Sequence, residues 1–278
     1  MDTRRIKISC EFIQLTEAAT PVVMQIRPRQ ESPVTLLEES WTTNPSVNTH
    51  AYSDLYGNPC LRLTLPAGRS VFSYQAIAEV PDAVEDVDMS APQLSADQLP
   101  DEVLIYTLPS RFCLPEMLST EAIHRFGASP PGYQRVQQIL DYVWDHVQFQ
   151  YGSTTSTTAA HEVNVSGFGV CRDFAHLAIT FCRALDIPAR YVFGYLPEID
   201  MVPVADPMDF AAWIEVWLGD HWWTFDPRNN EQRKGRILIG RGRDASDVAM
   251  VTAFGAPILE SMTVDAREVM TPLPDPPR

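Results

Sequence analysis

The hydrophobic pattern of this chain changes its period between the two halves. In the first part, apolar residues alternate with polar ones from Ile6 to Phe12, which is the period of a half-buried β-strand. The same alternation recurs in three further stretches, at residues 22–26, 61–65 and 72–80. Short strands at close spacing are typical of a small antiparallel sandwich. We therefore expect residues 1–80 to form an N-terminal antiparallel β-sandwich, with Cys10 in its core.

The second half has the spacing of helices. Apolar residues recur at positions i, i+3, i+4 and i+7 in residues 136–147 and again in residues 174–185, which predicts two amphipathic helices. Residues 189–195 then alternate as a strand does. A β-sandwich followed by a mixed domain makes the predicted fold class α+β, and we place the second domain at residues 103–265.

Residues 81–102 lie between these parts and carry seven acidic residues but no lysine or arginine. We interpret them as a solvated acidic linker, because runs of like charge are usually solvated. An acidic docking segment is the alternative. Residues 266–278 are rich in proline and are predicted to form an unstructured tail.

The charge balance excludes several classes of partner. The 278 residues include 36 acidic and 21 basic side chains, for a net charge of -15, which disfavours nucleic acid and anionic membrane surfaces. Five cysteines without a C-x-x-C pair argue against a disulfide scaffold and a structural zinc site. No long apolar run occurs, so we expect a protein of the reducing cytoplasm.

Cys171 is the residue best placed for covalent chemistry. It follows Gly167 and Gly169 and opens the second predicted helix, where unpaired backbone N–H groups and the helix dipole favour a thiolate. The same N–H groups could hold an oxyanion. A core cysteine is the alternative, and Cys182 on the same helix illustrates it. We interpret Asp173 as a helix first-turn acid rather than a catalytic group.

A β-hairpin is predicted after residue 208. If Gly219 and Asp220 form a two-residue turn, paired residues have numbers that sum to 439. Position 211 and Asp226 then become diagonal neighbours about 7–8 Å apart, a reach across which a histidine and an aspartate can hydrogen-bond.

Three ordered blocks of residues resemble one known family. They are Gly169-x-Cys171-x-Asp173-Phe174-Ala175-His176, then Trp213-x-Glu215-Val216, then Trp222-Trp223-Thr224-Phe225-Asp226-Pro227. Together they are similar to the transglutaminase-like cysteine peptidases of bacteria, whose core often carries an associated N-terminal β region. The resemblance implies a transglutaminase-like, papain-like α+β core with a Cys-His-Asp triad, in which Cys171 is the nucleophile and Asp226 the orienting carboxylate.

The histidine of that triad should stand two residues before Trp213, where this chain has Ala211. Alanine can neither accept the thiol proton nor protonate a leaving amine, so we expect the chain to be nearly inactive. Two explanations remain open. Ala211 is either an inactivating replacement in an active enzyme, which we favour because the other triad residues and Trp213 are kept, or the mark of a natural, non-catalytic peptide-binding pseudoenzyme.

The predicted function is that of a cysteine hydrolase that cuts a peptide or isopeptide bond through a thioester at Cys171. Acyl transfer to an amine, as in transglutaminases, is the alternative reaction. We expect a peptide or protein as substrate, no cofactor and no metal, since no D-x-D-x-D-G calcium loop occurs. Trp213, Arg241 and Arg243 are the candidate substrate-binding residues, the two arginines because guanidinium groups suit an anionic substrate. A solvated loop that balances nearby acids is the alternative for these arginines.

Overall fold

The computed structural model describes residues 2–31, 33–201 and 207–269. In chain order the strands are β1 (Thr3–Thr16), β2 (Thr20–Met24), β3 (Thr35–Asn44), β4 (Thr49–Ser53), β5 (Pro59–Leu65), β6 (Gly68–Pro81), β7 (Gln148–Phe149), β8 (Phe168–Gly169), β9 (Ala189–Tyr195), β10 (Ala211–Leu218), β11 (His221–Phe225), β12 (Ile237–Gly242), β13 (Val251–Ala253) and β14 (Ile258–Glu268). The helices are α1 (Asp101–Leu104), α2 (Pro115–Phe126), α3 (Tyr133–His146), α4 (Ala160–Ser166) and α5 (Cys171–Arg183), with short 3₁₀ turns at Ala96–Gln98 and Ile105–Thr107.

The N-terminal part is a β-sandwich of two four-stranded antiparallel sheets, ordered β14-β1-β6-β3 and β13-β2-β5-β4. Alternate residues of β1 point into the core, and Ile6, Ile8, Cys10 and Phe12 are each at most 3% exposed. The alternation therefore predicted β1, β2, β5 and β6 of these sheets, and the core position of Cys10 is confirmed.

Two strands of the sandwich come from the C-terminal part of the chain. The whole of β13 pairs with β2, and β14 runs along β1 from Ile258 opposite Leu15 to Glu268 opposite Ile6. The predicted end of the second domain at residue 265 is therefore wrong, because residues 251–268 complete the sandwich. Of the predicted tail at 266–278, residues 266–268 belong to β14, and residues 270–278 lie outside the described part.

Residues 81–102 run along the surface of the second domain and are anchored to it. The carbonyl of Pro92 accepts the N–H of Gly219 at 2.8 Å, and Ala91 and Leu99 are buried. Glu85 forms an ion pair with Arg236. The prediction of a solvated linker is wrong for Glu85, Ala91 and Leu99. It agrees with the other part of the segment, in which five acidic residues are exposed: Asp86, Asp88, Asp97, Asp101 and Glu102.

The second domain surrounds α5. This helix packs against α2, α3, α4 and the sheet β11-β10-β9-β12, and nearly all of its residues after the first turn are buried. The predicted helices at 136–147 and 174–185 correspond to α3 and α5, and the predicted strand at 189–195 is β9. The fold is thus the predicted mixed α+β class, with mostly antiparallel sheets. No helix in the described ranges is long and apolar enough to cross a membrane.

The predicted hairpin is formed by β10 and β11. Val216 faces Trp223 and Ile214 faces Phe225, so paired numbers sum to 439 as expected. Gly219 takes a φ of +65°, which a turn of this kind requires of one residue and which glycine adopts without strain. The hairpin therefore brings position 211 and the segment after Phe225 to the same end of the sheet.

Candidate active site

The N-terminus of α5 is built around Asp173. Its buried carboxylate accepts the N–H of Val170 at 2.9 Å and the hydroxyl of Thr154 at 2.6 Å, so it caps the helix. A Cβ on Gly169 would lie 2.8 Å from the Cβ of Asp173, so this glycine makes room for the cap. Asp173 has the structural role that the sequence suggested, and it holds the first residue of the helix, Cys171, in place.

The sulfur of Cys171 lies against the start of β10. Its Sγ is 3.8 Å from the carbonyl oxygen of Phe210, and the backbone N–H of Ala212 acts on the same sulfur. These two backbone groups flank residue 211 along the strand. The nucleophile position and position 211 of the predicted triad are therefore neighbours.

Both residues line one cavity of about 170 Å³. Its wall combines apolar side chains with charged and amide groups: Tyr151, Cys171, Leu196, Glu198, Met201, Pro207, Met208, Asp209, Ala211, Ala212, Arg228, Asn229 and Arg233. No histidine occurs among these residues. Within the described part of its wall, the cavity holds a thiol without an imidazole beside it.

Burial raises the pKa of Cys171 to about 11. The guanidinium of Arg228 lowers this pKa, and the carboxylate of Asp209 raises it. Burial of the thiol thus opposes the backbone N–H groups at the helix N-terminus, which lower the pKa of Cys171.

Asp226 organises the turn that follows β11. Its Oδ1 accepts the backbone N–H groups of Arg228 and Asn229 at 3.1 and 3.0 Å. Its Oδ2 accepts the Asn229 amide and the guanidinium of Arg236, each at 2.8 Å. These donors hold the pKa of Asp226 below its usual value although the side chain is 4% exposed. Asp226 is not itself part of the cavity wall, and it reaches the cavity through Arg228 and Asn229.

The three predicted substrate-binding residues lie elsewhere. Trp213 is 2% exposed and packs where the second domain meets the sandwich, with the guanidinium of Arg236 5.0 Å from its ring centroid. The indole of Trp213 packs at this junction, where Gly194 on β9 leaves room for it.

Arg241 and Arg243 are also at this junction. Arg241 forms ion pairs with Glu215 at 2.8 Å and with Glu31 of the sandwich at 2.6 Å. Arg243 pairs with Asp247 at 2.9 Å and donates to the hydroxyl of Tyr56 at 2.9 Å. Their predicted role as substrate contacts needs correction, since these guanidinium groups are occupied by partners that join the two domains. The other interpretation, of charges that balance nearby acids, agrees with these contacts.

The histidine nearest to Cys171 in the sequence motif does not replace the missing imidazole. His176 is fully buried, stacks on Phe112 with ring centroids 5.0 Å apart, and accepts the N–H of Ala245 at Nε2. Burial lowers the pKa of His176. Among the described residues, no group of three or more His, Cys, Asp or Glu side chains has the arrangement of a metal site.

Sequence reasoning did not identify Asp209 as part of the site. Its carboxyl group lines the cavity, accepts the N–H of Phe210 at 2.7 Å, and has a pKa raised by burial. The available signal was its position two residues before Ala211, at the entry to β10.

Comparisons with known proteins agree with this architecture. The model of the transglutaminase-like superfamily matches residues 121–227. A crystal structure of a protein from Cytophaga hutchinsonii, described as a "putative cysteine protease", is similar to 99% of this chain over 93% of its own, with a TM-score of 0.87 and 28% identity.

Two relatives from mycobacteria are similar to parts of the chain. An uncharacterized protein of Mycobacterium leprae is 43% identical over 101 residues, which are 34% of this chain and 36% of that protein. One of Mycobacterium tuberculosis is 34% identical over 144 residues, 46% of each chain. The chain spans less than half the length of these curated relatives. The family model assigns residues 121–227, which include Cys171 and Asp226, to a transglutaminase-like superfamily domain.

Proposed function

We propose that this chain has the site of a cysteine hydrolase, which acts on a peptide or isopeptide bond through a thioester at Cys171. Ala211 in place of the histidine leaves it nearly inactive. The observation that carries the proposal is the position of Cys171 Sγ, 3.8 Å from the carbonyl of Phe210 and beside position 211 in a shared cavity. The transglutaminase-like domain and the similarity to the Cytophaga protein support the same reaction class.

An imidazole at position 211 would supply the missing proton transfers. It would accept the Sγ–H proton while the sulfur attacks the substrate carbonyl carbon, and then give that proton to the leaving amine nitrogen as the C–N bond breaks. Water would next attack the thioester, release the acid and return the proton to sulfur. If an amine attacks instead of water, the product is a new amide, which is the acyl-transfer alternative.

Without that imidazole, the reaction loses its base and its acid together. A thiol with a pKa of about 11 is almost entirely protonated at neutral pH, and the leaving amine has no imidazolium to protonate it. Residual turnover then depends on the small thiolate fraction.

The test is to install the histidine. We expect Ala211→His to raise Cys171-dependent peptide hydrolysis about 10²- to 10⁴-fold, the usual contribution of a general acid–base group. A peptide library with and without a primary amine, read by mass spectrometry, separates hydrolysis from acyl transfer. The double variant Ala211→His with Cys171→Ala is the matched control and should be inactive.

A non-catalytic peptide-binding module is the second candidate. The raised pKa of Cys171 and the lack of a histidine among the described cavity residues favour it. If Ala211→His gains no activity on any peptide, while the unaltered chain binds library peptides at the Cys171 cavity, the module is the better assignment and the hydrolase proposal fails.

A further inference from the structure

The segment from Arg228 to Arg243, which we call the basic stretch, contains six basic residues. One of these cations differs from the rest. Five of the six basic residues have acidic partners: Arg233 with Glu231, Lys234 with Asp82 and Asp200, Arg236 with Glu85 and Asp226, Arg241 with Glu215 and Glu31, and Arg243 with Asp247. Arg228 forms no ion pair with any described residue. It is also the member of the stretch that lies nearest in sequence to Asp226.

Arg228 is nevertheless held in position. Its backbone N–H donates to Asp226 at 3.1 Å, and its guanidinium lies over the ring of Phe149, 3.9 Å from the centroid. A cation on an aromatic face is oriented without losing its charge, and its N–H groups at the rim of the guanidinium stay available to an acceptor. The protein therefore fixes a cation that forms no ion pair with a described residue, although the carboxylate of Asp209 lies close enough to feel its charge.

That cation lies in the wall of the Cys171 cavity and acts on the nucleophile. Arg228 lines the cavity together with Cys171, and its charge lowers the pKa of both Cys171 and Asp209. Two carboxylates, Asp209 and Glu198, and a second guanidinium, Arg233, share the wall. A ligand that enters this cavity meets a guanidinium close to the sulfur that would attack it.

We propose that Arg228 binds a carboxylate of the substrate, so that the preferred substrates carry an acidic group next to the bond attacked by Cys171. The proposal rests on the hydrolase assignment for its substrate but not for its binding site. A carboxylate fits better than a phosphate, because the carboxylate of Asp209 would repel a dianion more strongly than a monoanion, and planar guanidinium groups pair with carboxylates through two parallel hydrogen bonds.

A pair of alkylating reagents tests the binding site in the unaltered chain. Iodoacetate carries a carboxylate, and iodoacetamide is its neutral analogue of nearly the same shape. In both, the Cys171 thiolate attacks the methylene carbon, the C–I bond breaks, iodide leaves and a thioether forms. Since both reagents consume the same thiolate, the ratio of their rate constants does not depend on the thiol pKa.

We expect Arg228→Gln to lower the iodoacetate-to-iodoacetamide ratio at Cys171 about tenfold, the value of one charge-assisted hydrogen bond. Arg228→Lys should keep most of the ratio. Arg267→Gln, which removes an exposed charge of the sandwich, should leave it unchanged. Labelling is measured at pH 9 and assigned to Cys171 by peptide mapping, with Cys171→Ala as the blank.

If the iodoacetate-to-iodoacetamide ratio is unchanged in Arg228→Gln, the proposal is overturned. This holds even if both labelling rates fall, because equal losses reflect only a change in the fraction of thiolate. In the Ala211→His background, library members that contain Glu beside the cleaved bond should have a higher kcat/KM than their Gln versions, and Arg228→Gln should remove the difference. If the ratio responds to Arg228 but Ala211→His hydrolyses nothing, the anion site stands and the hydrolase assignment fails.

Discussion

The junction between the sandwich and the second domain, and the Cys171 cavity, contain the same kinds of charged side chain but arrange them differently. At the junction, the carboxylate of Glu215 is bound by Arg190 at 2.6 Å and by Arg241 at 2.8 Å. In the cavity, the guanidinium of Arg228 lies over a phenyl ring and forms no ion pair with a described residue. The charges at the junction are paired within the protein, whereas the guanidinium of Arg228 in the cavity is available to a ligand.

Burial explains the difference. Glu215 is 6% exposed, and a charge so far from water is tolerated only when partners replace its hydration. Arg228 keeps partial access to solvent at the cavity, so its cation needs no permanent partner. Arg241 is half-buried like Arg228, so what distinguishes the two cations is the buried anion, Glu215, beside Arg241.

Breaking the junction should give the largest effect. We expect Glu215→Ala to lower the free energy of unfolding by about 3–5 kcal/mol, because it leaves the half-buried guanidinium groups of Arg190 and Arg241 without their shared buried anion. Denaturant titration followed by tryptophan fluorescence measures the loss.

The control for this prediction is Glu260→Ala, which removes the partner of Arg69 in an exposed pair and should cost less than about 1 kcal/mol. Equal losses in the two variants would contradict the view that the junction charges are structural.

His176 extends the comparison to a buried titratable group. Burial lowers the pKa of His176 below the ordinary 6.5. Between pH 6.5 and the lower pKa of the folded state, the unfolded chain therefore binds a proton that the folded chain does not. Stability should then fall as the pH decreases below 6.5, by up to about 1.4 kcal/mol per pH unit. Unfolding titrations at pH 6.5, 5.5 and 4.5 measure the slope.

The matched variant is His176→Gln, whose amide oxygen can accept the N–H of Ala245 but does not titrate. Its stability should depend less on pH over the same range. An identical slope in both proteins would show that other groups cause the acid sensitivity and that His176 is not a buried neutral imidazole.

The sequence predicted those features that depend on neighbouring positions. Periodicity predicted the strands β1, β2, β5 and β6 and the helices α3 and α5, and a two-residue turn predicted the register of the β10–β11 hairpin. β3 was not predicted because most of its residues are exposed and a register shift between Leu36 and Glu38 interrupts its alternation.

Features that depend on distant partners were not predictable in this way. The pairing of β14 with β1 joins segments about 250 positions apart, and Arg241 meets Glu31 across a similar separation. No local pattern distinguishes Arg241, which is paired, from Arg228, which is not. The family resemblance identified the segments around Cys171 and position 211, but the cavity and its charges appear only in the folded chain.

The smallest expected effect is the stability change on removal of the cavity cation. Arg228 has no ion pair with a described residue, so we expect Arg228→Gln to change the free energy of unfolding by less than about 0.5 kcal/mol in either direction. The same denaturant titration measures it beside Arg241→Gln, which breaks the contacts with Glu215 and Glu31 and should be clearly destabilising. A loss for Arg228→Gln as large as that for Arg241→Gln would make Arg228 a structural cation like those of the junction. A negligible loss of stability, together with a lower iodoacetate-to-iodoacetamide ratio at Cys171, would show that Arg228 is available to a ligand, whereas Arg241 holds the two domains together.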